Sequence, residues 1–395
     1  MDKRRLDELH NLYSTTLFND VIPFWEKYSM DTEYGGYLHY VDRDGSLLCD
    51  DKSVWFQGRT CWLFSRLYNT VEKKQSWLEN AKLGYDFLCS HCFDSRGRMY
   101  FTVTKDGKPL QMRRYYFSET FAIIAFFEYS RASGDKEALQ RGRDLFSKVM
   151  GYYRNPDPAI FTPKIDPNTR NLIGHSYPMI LIATAQIARE CDPDNPIYQD
   201  FIDECIKELL TKFVKPEYKA LLEFVTADGE IFNSPTGRTI NPGHAIETSW
   251  FLMHEGIHTD DKELIGQAVD ILDWSFERGW DKEYGGLFNF VDLDGKPPEK
   301  IEWDMKYWWP HTEALYASLL AHHLTGKEQF GEMYEKIHEF TFGCFPDPEY
   351  GEWYGYLHRD GSVCLPIKGS MFKGAFHLPR QLLYGIKLID KMGTV

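Results

Sequence analysis

Asp31-Thr-Glu-Tyr-Gly-Gly-Tyr-Leu-His-Tyr-Val-Asp-Arg-Asp-Gly45 has a close copy far along the chain, Asp281-Lys-Glu-Tyr-Gly-Gly-Leu-Phe-Asn-Phe-Val-Asp-Leu-Asp-Gly295. A third copy reads Asp347-Pro-Glu-Tyr-Gly-Glu-Trp-Tyr-Gly-Tyr-Leu-His-Arg-Asp-Gly361. Weaker copies begin at Asp94, ending in Lys105-Asp-Gly107, and near Glu217, ending in Ala227-Asp-Gly229; a degenerate one lies near Asp157. The starts recur at roughly 60–66 residues, six times over, and a fixed period of this kind signals a repeat architecture.

Each copy alternates aromatic and polar residues between Gly-rich and Asp-Gly turns, which predicts a short strand or hairpin loop. Two helical patterns lie between copies. One is amphipathic, with Leu78, Ala81, Tyr85 and Leu88 on one stripe. The other is apolar nearly all round, as in Phe121-Ala-Ile-Ile-Ala-Phe-Phe127 and Met179-Ile-Leu-Ile-Ala-Thr-Ala185, and such a helix is buried on every side. Each repeat therefore supplies an outer helix, an inner helix and a hairpin loop. Six units close into an all-α toroid, an (α/α)6 barrel, with the short β-hairpin loops gathered on the side of the site. No Ser/Gly linker or low-complexity stretch interrupts the pattern, so residues 1–395 read as a single domain.

Composition narrows the function. A net charge of -14 argues against nucleic acid and against an anionic membrane surface. No run approaches the roughly 18 apolar residues of a membrane span, and the charged start, Met1-Asp-Lys-Arg-Arg-Leu6, lacks the apolar core of a signal peptide. Eight scattered cysteines without paired metal spacing read as reduced thiols of a cytoplasmic protein. The many aromatics, 11 Trp, 24 Tyr and 27 Phe, mostly serve packing but also offer stacking faces for sugars.

The inner helices start with unusual residues: Trp55-Phe-Gln-Gly-Arg59, Tyr116-Phe-Ser-Glu119, His175-Ser-Tyr-Pro178, Pro242-Gly-His-Ala-Ile-Glu247, Trp308-Trp-Pro-His-Thr-Glu313 and Phe372-Lys-Gly-Ala-Phe-His377. In a closed toroid these starts meet at one mouth. Arg59, Glu119, His244, Glu313 and His377 recur at nearly the repeat period and are expected around one cavity. Trp55, Tyr116, Ser176, Trp308, His311 and Phe372 are expected, with Glu119, to contact substrate. Singly, a histidine among aromatics is more often a hydrogen-bonded core residue; the shared register is what favours a site. Glu247, three residues after His244 on one helix face, is expected to orient that imidazole. The Asp-x-Asp-Gly segments lack the remainder of a calcium loop and read as turns. No compact His-Glu-x-x-His motif is present, so no metal is assigned.

Val54-Trp-Phe-Gln-Gly-Arg59, Tyr116-Phe-Ser-Glu-Thr-Phe121, Asn241-Pro-Gly-His-Ala-Ile-Glu247, Ile301-Glu-Trp-Asp-Met-Lys306, Trp308-Trp-Pro-His-Thr-Glu-Ala314 and the stretch from Asp347 to Arg380 together resemble the N-acylglucosamine 2-epimerase family, called renin-binding protein in animals. The resemblance runs along nearly the whole chain. It implies the same (α/α)6 barrel, His244 and His377 as an acid/base pair, Arg59 and Glu313 as essential site residues and Glu247 as the partner of His244. It implies an amino-sugar substrate, N-acetylglucosamine or N-acetylmannosamine, and a homodimer. It implies no cofactor for the chemistry, with ATP or another nucleotide as an allosteric effector. Relatives acting on cellobiose or on mannose and glucose carry a further histidine at the position of Ile180, which favours the acetamido sugars here.

The expected chemistry follows from sugar reactivity. Ring opening makes C1 an aldehyde and C2 acidic; one imidazole removes the C2 proton and the other returns one to the opposite face. Alternatives on the same scaffold are a cellobiose or mannose/glucose 2-epimerase, and a glycoside hydrolase using two of Glu119, Glu247 and Glu313. A non-catalytic binding protein is the remaining alternative, and a retained His pair would be unexpected there.

Overall fold

The computed structural model describes residues 1–163 and 165–393. Its helices alternate between an outer and an inner ring. An outer rod is formed by α1 (Lys3–Thr15), a π-helical stretch (Thr16–Val21) and α2 (Ile22–Tyr28). Then follow inner α3 (Val54–Thr70), outer α4 (Gln75–His91), inner α5 (Phe117–Ser133) and outer α6 (Lys136–Arg154). Inner α7 (Ser176–Cys191), outer α8 (Ile197–Glu208), inner α9 (Pro242–Thr259) and outer α10 (Lys262–Gly279) come next, and inner α11 (Trp308–Thr325), outer α12 (Glu328–Cys344) and inner α13 (His377–Gly393) complete the ring. This is the (α/α)6 barrel that the six-fold repeat predicts.

Sequence explains the division. Every residue of α5 from Ser118 to Ser130 is buried, because both faces of an inner helix meet neighbours. Outer α6 buries only Ala138, Gly142, Leu145, Phe146, Val149 and Met150, a stripe at helical spacing. The turn between α5 and α6 is Gly134, in the left-handed region at φ 74, then Asp135, whose carboxylate accepts the N–H of Glu137 and Ala138. Such a carboxylate cap is worth about 1 kcal/mol. All eight cysteines are free. Among the described residues no helix is long and apolar enough to cross a membrane.

The repeated motif builds the rim. Asp31, Asp281 and Asp347 each fold the chain by accepting the N–H two residues on, from Glu33, Glu283 and Glu349. The Asp-Gly turns close on Gly45, Gly107, Gly229, Gly295 and Gly361, all with φ between 72 and 87, where a Cβ is disfavoured. The strand entering an inner helix pairs, antiparallel, with the hairpin of the next copy: Lys52 with Val103, Ile173 with Val225, Ile240 with Val291 and Lys306 with Leu357. The N–H groups of Lys368 and Gly369 both donate to the carbonyl of Val41, joining the sixth copy to the first. Below the rim, α1 packs on α13. Arg5 binds Glu335 and the Tyr13 hydroxyl meets that of Tyr334. The inner ring closes where the Arg66 guanidinium of α3 lies over the Tyr384 ring of α13.

Candidate active site

The N-terminal ends of the inner helices face the rim, and the two expected histidines lie there. Asn241 caps α9 by accepting the N–H of His244, with Pro242 at the first helical position, so His244 sits in the first turn. Its Nδ1 is 2.8 Å from Oε1 of Glu223, a residue of the preceding hairpin. His377 is the first residue of α13, and its Nδ1 is 2.7 Å from Oε1 of Glu313. Glu313 also accepts from Trp250 Nε1 at 2.8 Å and from Arg380 at 2.7 Å. A carboxylate already taking two N–H donors stays an acceptor, so Nδ1 of His377 donates to it and Nε2 carries the lone pair. Neither Nε2 has a hydrogen-bond partner among the described residues. The Trp309 indole lies 5.1 Å from the His244 ring and 5.7 Å from the His377 ring, so one indole flanks both imidazoles.

The environments push the two rings apart. Burial opposes charge on His244, but the charge and hydrogen bond of Glu223, with the charge of Glu247 behind them, outweigh it and raise the pKa. Burial dominates at His377; Glu247 opposes it, while the cations Arg380 and Arg59 and the nearby His244 reinforce it, and the pKa falls well below the imidazole range. One ring is thus biased toward giving up its proton and the other toward keeping it, the division a base and an acid require. A third ring, His175, is fully buried, with Nε2 2.8 Å from Thr248 Oγ1 and its own ring 6.3 Å from His244. Burial lowers its pKa despite Glu223, so it packs as a neutral imidazole.

Arg59 stands among the aromatic rings of the mouth. Its guanidinium lies over Phe121 at 4.1 Å and Phe376 at 5.0 Å, and NH1 donates to the carbonyl of Phe372 at 3.4 Å. No carboxylate pairs with it among the described residues. A guanidinium keeps its charge under these conditions, which suits it to an anion formed in the cavity. Trp55, half-buried, and Phe372, exposed on the rim, stand 6.0 Å apart beside it. Ser176 opens α7 and is partly exposed. Trp308 is buried with its ring 6.1 Å from His377.

Four expectations need correction. Glu247 is not the hydrogen-bonded partner of His244; it binds Arg380 at 2.5 Å, because that buried cation draws in carboxylates from both α9 and α11. Glu119 and His311 do not reach the cavity. Both are fully buried and accept the N–H of a hairpin residue, Met99 on Glu119 and Leu287 on His311, as Tyr37 does on Gln57. Glu119 also binds buried Arg98 at 2.7 Å. These side chains satisfy backbone donors inside the wall, where an unpaired N–H is costly. Tyr116 is likewise in the wall, packed against Tyr152, Phe161 and Tyr177.

The residues that sequence reasoning missed are Glu223, Arg380, Trp250 and Trp309. Arg380 follows His377 by three on one helix, a readable spacing. Glu223 lies on a hairpin, 21 residues from His244, and no periodicity points to it. Its role has a direct test. Glu223→Gln removes the charge that raises His244, so imidazole NMR should show His244 titrating at lower pH than in the wild type. Because the folded pKa of His244 is raised, the histidine's stabilising contribution is complete below about 6.5 and is lost as pH rises through the folded value. An unchanged His244 titration in the variant would remove Glu223 from this role.

Comparison with known proteins agrees with this geometry. The family described as N-acylglucosamine 2-epimerase (GlcNAc 2-epimerase) matches residues 36–377. The chain is 38% identical over 378 residues to the N-acylglucosamine 2-epimerase of Bos taurus, covering 94% of this chain and 89% of that protein. It is 25% identical over 411 residues to the cellobiose 2-epimerase of Eubacterium cellulosolvens, covering 94% and 96%. The solved cellobiose 2-epimerase of Bacillus thermoamylovorans B4167 superposes with a TM-score of 0.85 at 22% identity, covering 96% of this chain and 99% of that one. A barrel closed in six repeats, two carboxylate-held histidines at its mouth and a match over most of its length place this chain in the N-acylglucosamine 2-epimerase family of isomerases.

Proposed function

We infer that this protein interconverts N-acetylglucosamine and N-acetylmannosamine by moving a proton at C2 of the open-chain sugar. The observation that carries the reading is the pair His244 and His377, each with Nδ1 held by a carboxylate and Nε2 free, and both beside the same Trp309 indole. Neutral His377 takes the C2 proton as the electrons move onto the C1 oxygen, giving an enolate. Protonated His244 returns a proton to the other face of C2, and inversion results. The reverse reaction uses the same pair with the proton exchanged, so both directions need one proton on the two rings together. Arg59 is suited to hold the developing oxyanion, an interaction worth about 3–4 kcal/mol for one well-placed donor. Only protons move, so the balanced step draws on no oxidant or reductant.

Substrate choice is read from two features. The chain is closer in sequence to N-acylglucosamine 2-epimerases, at 35–38% identity, than to cellobiose 2-epimerases, at 25–28%. The ladder register also gives Ile180 a place: it follows Ile173 by seven residues, as Arg59 follows Lys52, Glu247 follows Ile240 and Glu313 follows Lys306. We read this isoleucine, partly buried at the level of those charged side chains, as the apolar surface that would meet an acetamido methyl.

The test is proton NMR of N-acetylmannosamine in heavy water. N-Acetylglucosamine carrying deuterium at C2 should accumulate. Its kcat/KM should exceed that for cellobiose or mannose by about 100-fold. Equal or faster turnover of cellobiose would reassign the substrate while leaving the epimerase chemistry in place.

A further inference from the structure

The copy that carries His377 departs from the others at two linked positions. In the first, fifth and sixth copies a buried lysine binds the aspartate that opens the motif: Lys52 to Asp31, Lys306 to Asp281 and Lys368 to Asp347. These pairs fix the register. Five residues past the aspartates stand Gly36, Gly286 and Glu352; five past the lysines stand Gln57, His311 and Lys373. Gly36 and Gly286 have φ of 69 and 73, and Glu352 keeps that left-handed backbone at φ 55. A residue with a Cβ is disfavoured there, and strain of this kind collects at functional sites.

The carboxylate gained is 1% exposed and fully engaged. Its Oε1 accepts from Lys373 Nζ at 3.2 Å and from the N–H of Trp353 at 2.7 Å, its Oε2 accepts from Trp25 Nε1 at 2.5 Å, and Asp20 holds its backbone N–H at 2.8 Å. In the first and fifth copies the matching hairpin N–H, of Tyr37 or Leu287, goes to Gln57 or His311 of the inner helix. Here Glu352 takes that N–H itself. Lys373, relieved of the task, bonds Glu352 and the carbonyl of Lys368. The helix start moves as well. α3 and α11 begin two residues past their lysines, whereas α13 begins nine past Lys368, at His377. The intervening turns are unwound: Ser370 N–H bonds the carbonyl of Lys373, and Phe376 N–H that of Gly374.

We propose that Glu352 and Lys373 are positioning residues for the proton transfer: their buried ion pair keeps the first two turns of the sixth inner helix unwound, so that His377 heads the helix at the mouth and the Phe372 carbonyl meets Arg59. This rests on the epimerase reading above. Neither residue touches the sugar; both act through the segment that ends in His377.

The double variant Glu352→Gly with Lys373→Gln gives the sixth copy the pair found in the first. It removes the strained glutamate and both buried charges, which offsets the loss of the acceptor for Trp25 Nε1, so the variant should stay folded with a cooperative thermal transition. The kcat for N-acetylmannosamine should nonetheless fall about 100-fold, the usual consequence of misplacing a catalytic group by an ångström, with KM within about threefold. Amides of residues 370–376 should become more protected from hydrogen exchange as the turns wind into helix. A double variant that stays folded and keeps its kcat overturns the proposal. If it does not fold, Glu352→Gln, which keeps the shape and removes the charge, should lower kcat about tenfold without raising KM; unchanged kcat in that variant overturns the proposal. If the wild type itself does not epimerise the sugar, the functional reading fails, and hydrogen exchange alone decides the positioning: unaltered protection of 370–376 in the double variant sinks it.

Discussion

Replacing His377 by Ala lowers epimerisation of N-acetylmannosamine by about 10⁴-fold, at the upper end of the range for a general base, and His244→Ala does the same. The fold survives both changes. In His377→Ala, Glu313 keeps its bonds to Trp250 and Arg380, and in His244→Ala, Glu223 keeps His175 within reach, so no carboxylate is abandoned in the interior. The two variants differ in what remains. Each retains one imidazole, which still serves the epimer whose C2 hydrogen faces it. That sugar exchanges its C2 hydrogen for deuterium in heavy water without inverting, and the other epimer does not. Proton NMR starting from each sugar in turn assigns a face to each histidine. Epimerisation at more than a tenth of the wild-type rate in either variant would end the two-histidine mechanism.

Arg380→Met is expected to cause the largest loss of stability in the site. Arg380, Glu247 and Glu313 are all nearly buried, and the guanidinium is the cation shared by both carboxylates. Deleting one member of such a group leaves uncompensated buried charge and costs about 3–5 kcal/mol. The loss is read as a drop in thermal midpoint, and adding Glu247→Gln to the variant should recover much of it. The catalytic effect is separate. Arg380 is one of the cations that hold the His377 pKa down, after burial itself. Without it the imidazole holds its proton to higher pH, so the acid limb of the pH–rate profile moves upward, and part of the lost activity returns on raising the pH. A variant with wild-type stability and an unshifted acid limb would contradict both halves of this account.

The repeat was legible because a ring of six must reuse one backbone solution: the Asx turn at Asp31, Asp281 and Asp347 and the Asp-Gly turns demand particular residues wherever they recur. The histidine pair was legible for the related reason that inner-helix starts meet at the mouth. Register alone, however, cannot tell a side chain that enters the cavity from one that turns back into the wall. Glu119 and His311 share their level with Gln57, and all three serve hairpin N–H groups. Glu247 lies close to His244 in sequence, yet its partner is an arginine on the helix that closes the ring. Helical spacing identifies neighbours on one rod; it says nothing of a competing charge on another. Glu223, on a hairpin, and Glu352, in a position the pattern reserves for glycine, were out of reach for the same reason: each is explained by a contact with a distant segment.

The ring is sealed by pairs very far apart along the chain, such as Arg5 with Glu335, 330 residues on. During synthesis at 5–20 residues per second, α1 leaves the ribosome on the order of tens of seconds before α13 exists. Throughout that interval Leu6, Leu9 and Tyr13, buried in the finished barrel, lack the α13 face on which α1 packs. The segment that supplies that face, α13, also brings His377. Translation thus delivers the seal and His377 together.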